Sequence, residues 1–187
     1  MENPPLVKKT LQKKRVGIFS RFGLKITTWA RKRSPWLLHM NTGSCNGCDI
    51  EILAALTPRL DAERFGVKLV GSPRHADVLV CTGPVTLEME EALIQTYQQM
   101  PHPKFVMVVG SCGATGGVFK NSYNVKNGVD QVIPVDIYVP GCPPKPEAIF
   151  MGIAQLIQKI ENLGLIGEEK QESSSNTQEV ETMETIA

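Results

Sequence analysis

The sequence predicts an α/β fold built on a doubly wound, mostly parallel sheet. Short apolar runs alternate with helix-period patterns, the run from Phe105 to Val109 is apolar without a break, and glycine-rich loops follow several runs. A strand that is apolar throughout is buried on both faces, as in a parallel sheet covered by helices on each side. The length of 187 residues fits one domain, and a 42% hydrophobic, 21% charged composition is that of an ordinary globular protein.

Taken in order, residues 1–33 form a basic arm with ten Lys or Arg against Glu2 alone. Within it Ile18, Phe19, Phe22, Ile26 and Trp29 recur at helical spacing with Arg21 and Lys25 around them, which predicts an amphipathic helix. Such a helix either lies at a membrane surface, with a contact spanning residues 18–33, or docks on its own domain or a partner subunit. After Ser34-Pro35 a main domain is expected over 34–167. Its strands are Trp36 to Met40, Val67 to Gly71, Val78 to Cys81, Phe105 to Val109 and Asp136 to Val139. Its helices are Asp49 to Leu60, with Ile50, Leu53, Ala54 and Leu56 inward, then Leu87 to Met100 opened by Thr86, and Glu147 to Leu163 entered through Pro146. Residues 168–187, with six Glu against Lys170, read as a disordered acidic tail.

Several function classes fall away at this stage. No run approaches the roughly 18–20 apolar residues of a membrane-spanning helix. The charged N-terminus is not followed by an apolar stretch and small-residue cleavage site, so no export is expected. The basic arm lacks the interleaved aromatic residues of a nucleic-acid platform, and none is expected as a partner. The glycines from Gly110 to Gly117 carry no Gly-Lys-Ser/Thr at phosphate-loop spacing, which argues against a nucleotide cradle and against flavin.

The chemistry concentrates in cysteines. Cys45 and Cys48 stand in Gly43-Ser44-Cys45-Asn46-Gly47-Cys48-Asp49, Cys112 in Val109-Gly110-Ser111-Cys112-Gly113, and Cys142 in Pro140-Gly141-Cys142-Pro143-Pro144. Each segment begins just past an expected strand, where the loops of a parallel sheet converge on a ligand. The set reads as the thiolate ligands of one [4Fe-4S] cluster, with glycines letting backbone amides approach the sulfurs. Zinc held by four thiolates is an alternative, although such sites usually pair two CxxC knuckles and only one CxxC is present here. A thioredoxin-like dithiol would use Cys45 and Cys48 and leave the other two without a role. Cys81, at the end of an apolar strand, reads as a core residue. His39, His75 and His102 read as packing or loop residues.

Four ordered motifs carry a resemblance over about residues 16–165. They are Cys45-Asn46-Gly47-Cys48-Asp49-Ile50-Glu51, Ser72-Pro73-Arg74-His75-Ala76-Asp77, Gly110-Ser111-Cys112 and Pro140-Gly141-Cys142-Pro143-Pro144-Lys145-Pro146-Glu147. Together they resemble the cluster-bearing small subunit shared by respiratory complex I, an NADH:quinone oxidoreductase, and energy-converting membrane-bound [NiFe] hydrogenases. The resemblance implies a flavodoxin-like fold and one [4Fe-4S] cluster exchanging electrons with a large catalytic subunit. It further implies a ferredoxin-like iron-sulfur subunit and membrane-arm subunits as partners, a place on the cytoplasmic face of the cell membrane, and coupling to ion translocation. The chain would then be a subunit of an oxidoreductase without a complete active site of its own. Complex I carries two adjacent cysteines at the first motif, whereas Cys45 and Cys48 are separated by Asn46-Gly47, as in the hydrogenase and sulfur-reductase branch. By the same resemblance Arg74 is expected beside the cluster, offsetting its charge. Glu51 is a candidate proton relay to the large subunit, with Asp49 as its competitor.

Overall fold

A computed structural model describes residues 33–160. The arm and amphipathic helix expected over 1–33, apart from Arg33, and the tail expected over 168–187 lie outside the described residues. In chain order the elements are β1 (Trp36–Asn41), α1 (Gly47–Leu56), β2 (Lys68–Leu69), β3 (Val78–Thr82), β4 (Val85–Thr86), α2 (Leu87–Gln99), β5 (Phe105–Val109), α3 (Ser111–Thr115), β6 (Val125–Lys126), β7 (Ile137–Val139) and a last helix, α4, over 146–160.

The main sheet has five strands in the order β2-β1-β3-β5-β7, every neighbouring pair parallel. The order reverses between β1 and β3, so the carboxyl ends of these two strands flank the point where doubly wound sheets open a crevice. Successive strand residues go to opposite faces. Val78, Val80, Phe105, Met107 and Val109 pack with α1 and α4, through Cys48, Ile52, Ile149, Ile153 and Leu156. Leu79, Cys81, Val106 and Val108 pack on the other side with Leu93 and Tyr97 of α2 and with Val129 and Ile133. Leu79, Leu93 and Leu156 are at most 1% exposed, and each contributes about 1.5–3 kcal/mol by leaving water. Lys159 fastens α4 to the start of β7, pairing with the Asp136 carboxylate at 3.1 Å and donating to its carbonyl at 3.0 Å.

The expected strands are all present, β2 being the most shortened. The first helix differs in both length and phase. It ends at Leu56 because Thr57, which precedes Pro58, is driven to an extended conformation (φ −67°, ψ 157°). Its inward residues are Cys48, Ile52 and Ala55, with Leu56 partly buried against the core. Ile50 and Leu53, expected inward, are 62% and 57% exposed. The helix carries apolar residues around most of its circumference, so spacing alone allows more than one phase, and the phase with Cys48 inside is the one adopted. The antiparallel ribbon of β4 and β6 had no sequence signal, since each strand is only two residues long.

Leu93 fills the centre of the second core, so Leu93→Ala should destabilise the fold by about 2–5 kcal/mol, read as a lower urea midpoint with little change in slope.

Candidate metal centre

The four expected cysteines come from three strand ends at one edge of the sheet. Cys45 lies in the loop after β1, Cys48 on the first turn of α1, Cys112 on α3 directly after β5, and Cys142 three residues after β7. Backbone bonds lash the last two loops together: the Gly110 amide donates to Val139 at 2.9 Å and the Ser111 amide to Gly141 at 2.8 Å. The Ser111 hydroxyl donates to the same Gly141 carbonyl at 3.0 Å.

These thiols act on one another. Burial first, and then the neighbouring Cys112, Cys45, Asp49 and Cys142, push the Cys48 thiol up to about 11. Burial and the adjacent Cys142, with a smaller contribution from Cys45, raise Cys112, while a hydrogen bond from the Val118 backbone amide to its sulfur works the other way. Cys48 and Cys112, partly buried beside the other two thiols, therefore resist ionising, and a bound cationic centre removes that penalty. Among the described residues no three His, Cys, Asp or Glu side chains converge closely enough to hold a single metal ion.

Glycines stand where a side chain would collide with the sulfurs. A Cβ on Gly110, whose φ is +96°, would lie 2.6 Å from Cys48 Sγ, and one on Gly117 would lie 2.9 Å from Cys112 Sγ. One on Gly47 would still touch Cys45 Sγ at 3.6 Å. The site is thus a cradle whose walls are backbone, which is what close amide approach to a cluster requires.

Behind Cys48 lies a polar group that sequence reasoning did not find. Leu37, His39 and Asn41 alternate along β1 toward α1, as do Val78, Val80 and Thr82 along β3, so both strands turn polar at their carboxyl ends. The Asp49 carboxylate meets them there, accepting bonds from the Thr82 hydroxyl at 2.5 Å, Asn41 Nδ2 at 2.6 Å and His39 Nε2 at 2.9 Å. The available signal was parity: polar residues at inward positions of two adjacent strands, with an acidic residue on the helix that covers them.

The remaining candidates fall elsewhere. Arg74 is exposed in the turn before β3, at the amino end of the sheet, where the neighbouring His75 ring meets Trp36 at the start of β1. The cysteines gather at the carboxyl end, five strand residues away, or about 16 Å at roughly 3.3 Å per residue. The fold therefore does not bring Arg74 to them, since β3 runs between the motif and the site. Glu51 is partly buried on α1, one turn beyond Cys48. Asp49, its competitor, is turned into the sheet. Cys81 is fully buried within β3, apart from the other four thiols. No helix among the described residues is long and apolar enough to cross a membrane.

Residues 45–156 match the family described as the 20 Kd subunit of NADH ubiquinone oxidoreductase. A probable membrane-bound hydrogenase subunit of Pyrococcus furiosus is 59% identical over 128 residues, covering 68% of this chain and 77% of its own. An NADH-quinone oxidoreductase subunit of Rubrobacter xylanophilus is 46% identical over 147 residues, which is 78% of this chain but only 57% of that protein's length. In architecture the chain is similar to a subunit in the structure of the membrane-bound sulfane sulfur reductase, an archaeal respiratory membrane complex, with a TM-score of 0.66 and 42% identity, covering 73% of this chain and 76% of that one.

Two outcomes test this geometry. Gly110→Ala should cost about 1–3 kcal/mol from its positive-φ backbone alone (φ 96°, ψ 153°) and displace the Cys48 thiol, read as a lower Tm. Burial pushes the Cys81 thiol up to about 12 from an ordinary 9.0, leaving its thiolate about a thousandfold scarcer than in the unfolded chain at pH 8. Alkylation followed by peptide mass spectrometry should label Cys81 only after unfolding.

Proposed function

The chain belongs to the family of the NADH ubiquinone oxidoreductase 20 Kd subunit, and from that membership we propose that it is the electron-transfer subunit of a membrane-associated oxidoreductase complex, in which Cys45, Cys48, Cys112 and Cys142 hold one [4Fe-4S] cluster. The observation that supports this reading is the convergence of four thiols on the carboxyl edge of the sheet, inside a glycine-walled cradle. When bound, such a cluster supplies single-electron exchange.

The protein's own contribution is placement and electrostatics. Three loops from three strands set the ligands, and the Val118 amide offers a hydrogen bond to Cys112. Burial of Cys48 keeps one side of the site away from water. Ile50 and Leu53 project from α1 two and five residues beyond Cys48. A large catalytic subunit seated on that apolar face would also cover the site, leaving the chain without a complete active site until it is assembled. Glu51, on the same helix and partly buried, is then the side chain available to pass a proton toward that subunit. A ferredoxin-like subunit would deliver or remove electrons, and membrane-arm subunits would be contacted through the basic segment 18–33 on the cytoplasmic face.

Within the family, the spacing Cys45-Asn46-Gly47-Cys48 and the higher identity to the hydrogenase subunit favour a hydrogenase or sulfur-reductase type, coupled to ion translocation. The similarity to the NADH-quinone oxidoreductase subunit supports a quinone-reducing complex as the second reading.

The test is anaerobic purification of the intact complex, with EPR of the reduced sample and metal analysis of the same preparation. One [4Fe-4S] signal from this chain with nickel in the large subunit is the expected result. A cluster without nickel would move the assignment to a sulfur or quinone reductase, and zinc without a cluster would reject electron transfer. Cys112→Ser should remove or distort the signal and abolish turnover; an unchanged spectrum would reject the ligand assignment.

A further inference from the structure

One amide side chain on β1 holds both ends of the segment that bears the first two cysteines. Asn41 Oδ1 accepts the Gly43 and Ser44 amides at 2.9 and 2.8 Å, which shapes the loop leading into Cys45. Its Nδ2 donates at 2.6 Å to Asp49, the residue directly after Cys48. The other Asp49 oxygen is held by Thr82 at 2.5 Å and His39 at 2.9 Å, so the same carboxylate ties α1 to β1 and β3. Thr82 is completely buried and the Asp49 side chain is only 14% exposed, so these bonds face little competition from water. Within α1 the amide of Ile50 donates to Asn46 at 3.0 Å, which makes Asp49 part of the first turn and its anchoring equivalent to anchoring Cys48.

We propose that Asn41 and Asp49 form a positioning pair that fixes the separation and orientation of the Cys45 and Cys48 sulfurs, and that the Asp49 charge holds down the reduction potential of the cluster bound there. The proposal rests on the ligand assignment made above and extends it to two residues that touch no sulfur through their own polar atoms. The electrostatic half follows from sign: a carboxylate beside the ligand disfavours an added electron. Asp49 is also among the groups that raise Cys48.

The pair can be taken apart into geometry and charge. Asp49→Asn keeps the size and removes the charge. Asn41→Ala removes the bridge and keeps the charge. Exchanging the two residues, Asn41→Asp together with Asp49→Asn, keeps a hydrogen bond between them with donor and acceptor reversed. One oxygen of the new carboxylate at position 41 can still receive the loop amides. In the intact complex, EPR-monitored redox titration should show a raised midpoint for Asp49→Asn with the signal retained. Asn41→Ala should lose iron and signal, and the exchange should restore iron content to the wild-type level. An unchanged or lowered midpoint in Asp49→Asn overturns the charge role, and a normal spectrum and iron content in Asn41→Ala overturns the positioning role. If Asp49→Asn does not accumulate, the exchange decides: recovery of the cluster supports the pair and failure to recover it overturns it. A wild-type complex whose spectrum holds no cluster from this chain would overturn the proposed function itself, a result separate from any variant's behaviour.

Discussion

Four thiols from three loops are gathered at one edge of the sheet, and much of the irregular backbone of the described residues lies in the loops that gather them. Gly110, Gly117 and Gly141 all adopt positive φ in the loops that carry Cys112 and Cys142, conformations that cost L side chains about 1–3 kcal/mol. Asn46, between the first two cysteines, adopts a left-handed conformation without being glycine. The central strands β3 and β5 are regular and buried. Among the described residues positive φ recurs elsewhere only at a few loop positions such as Asp61 and Gly66 before β2, and the regular sheet stabilises the domain against the strain gathered at the cysteine edge.

Much of the fold was legible because a parallel sheet buried on both faces forces continuous apolar runs. Phe105–Val109 and Val78–Thr82 announce themselves in that way. The convergence of the four thiols was legible for a related reason, since glycine-flanked cysteines after such runs lie in loops at the carboxyl ends of the strands. The phase of α1 was not legible: Ile50, Leu53 and Leu56 compete with Ile52 and Ala55 for the inward side, and only the tertiary position of Cys48 decides between them. Arg74 illustrates the opposite failure. Its motif is distinctive, but a motif reports no direction, and the residues between Leu69 and Val78 cross from one side of β1 to the other at the amino end of the sheet.

The exposed apolar face of α1 and the buried polar group behind it belong to one arrangement. A helix that shows Ile50 and Leu53 to the outside has less apolar surface to hold it to its own sheet. Asp49 supplies part of that hold through hydrogen bonds to two strands. Directional bonds fix rotation about the helix axis, which apolar contact alone leaves soft, and rotation is what places Cys48. The local sequence thereby serves two surfaces at once, one facing a partner and one facing the sheet.

The order of the strands also has a consequence for biogenesis. Cys142 follows β7, which among the described residues is the outermost strand on its side of the sheet and pairs with β5 alone. All five strands are joined by parallel crossovers, and pairings this distant in sequence form late and slowly. Cys45, Cys48 and Cys112 all precede β7 in the chain, so they are synthesised before the strand that leads to the fourth. Docking of the last strand both completes the five-stranded sheet and brings the loop of Cys142 against that of Cys112. For the cluster proposed above, the full set of four ligands exists only once that strand has docked, so loading of the site would read out completion of the sheet.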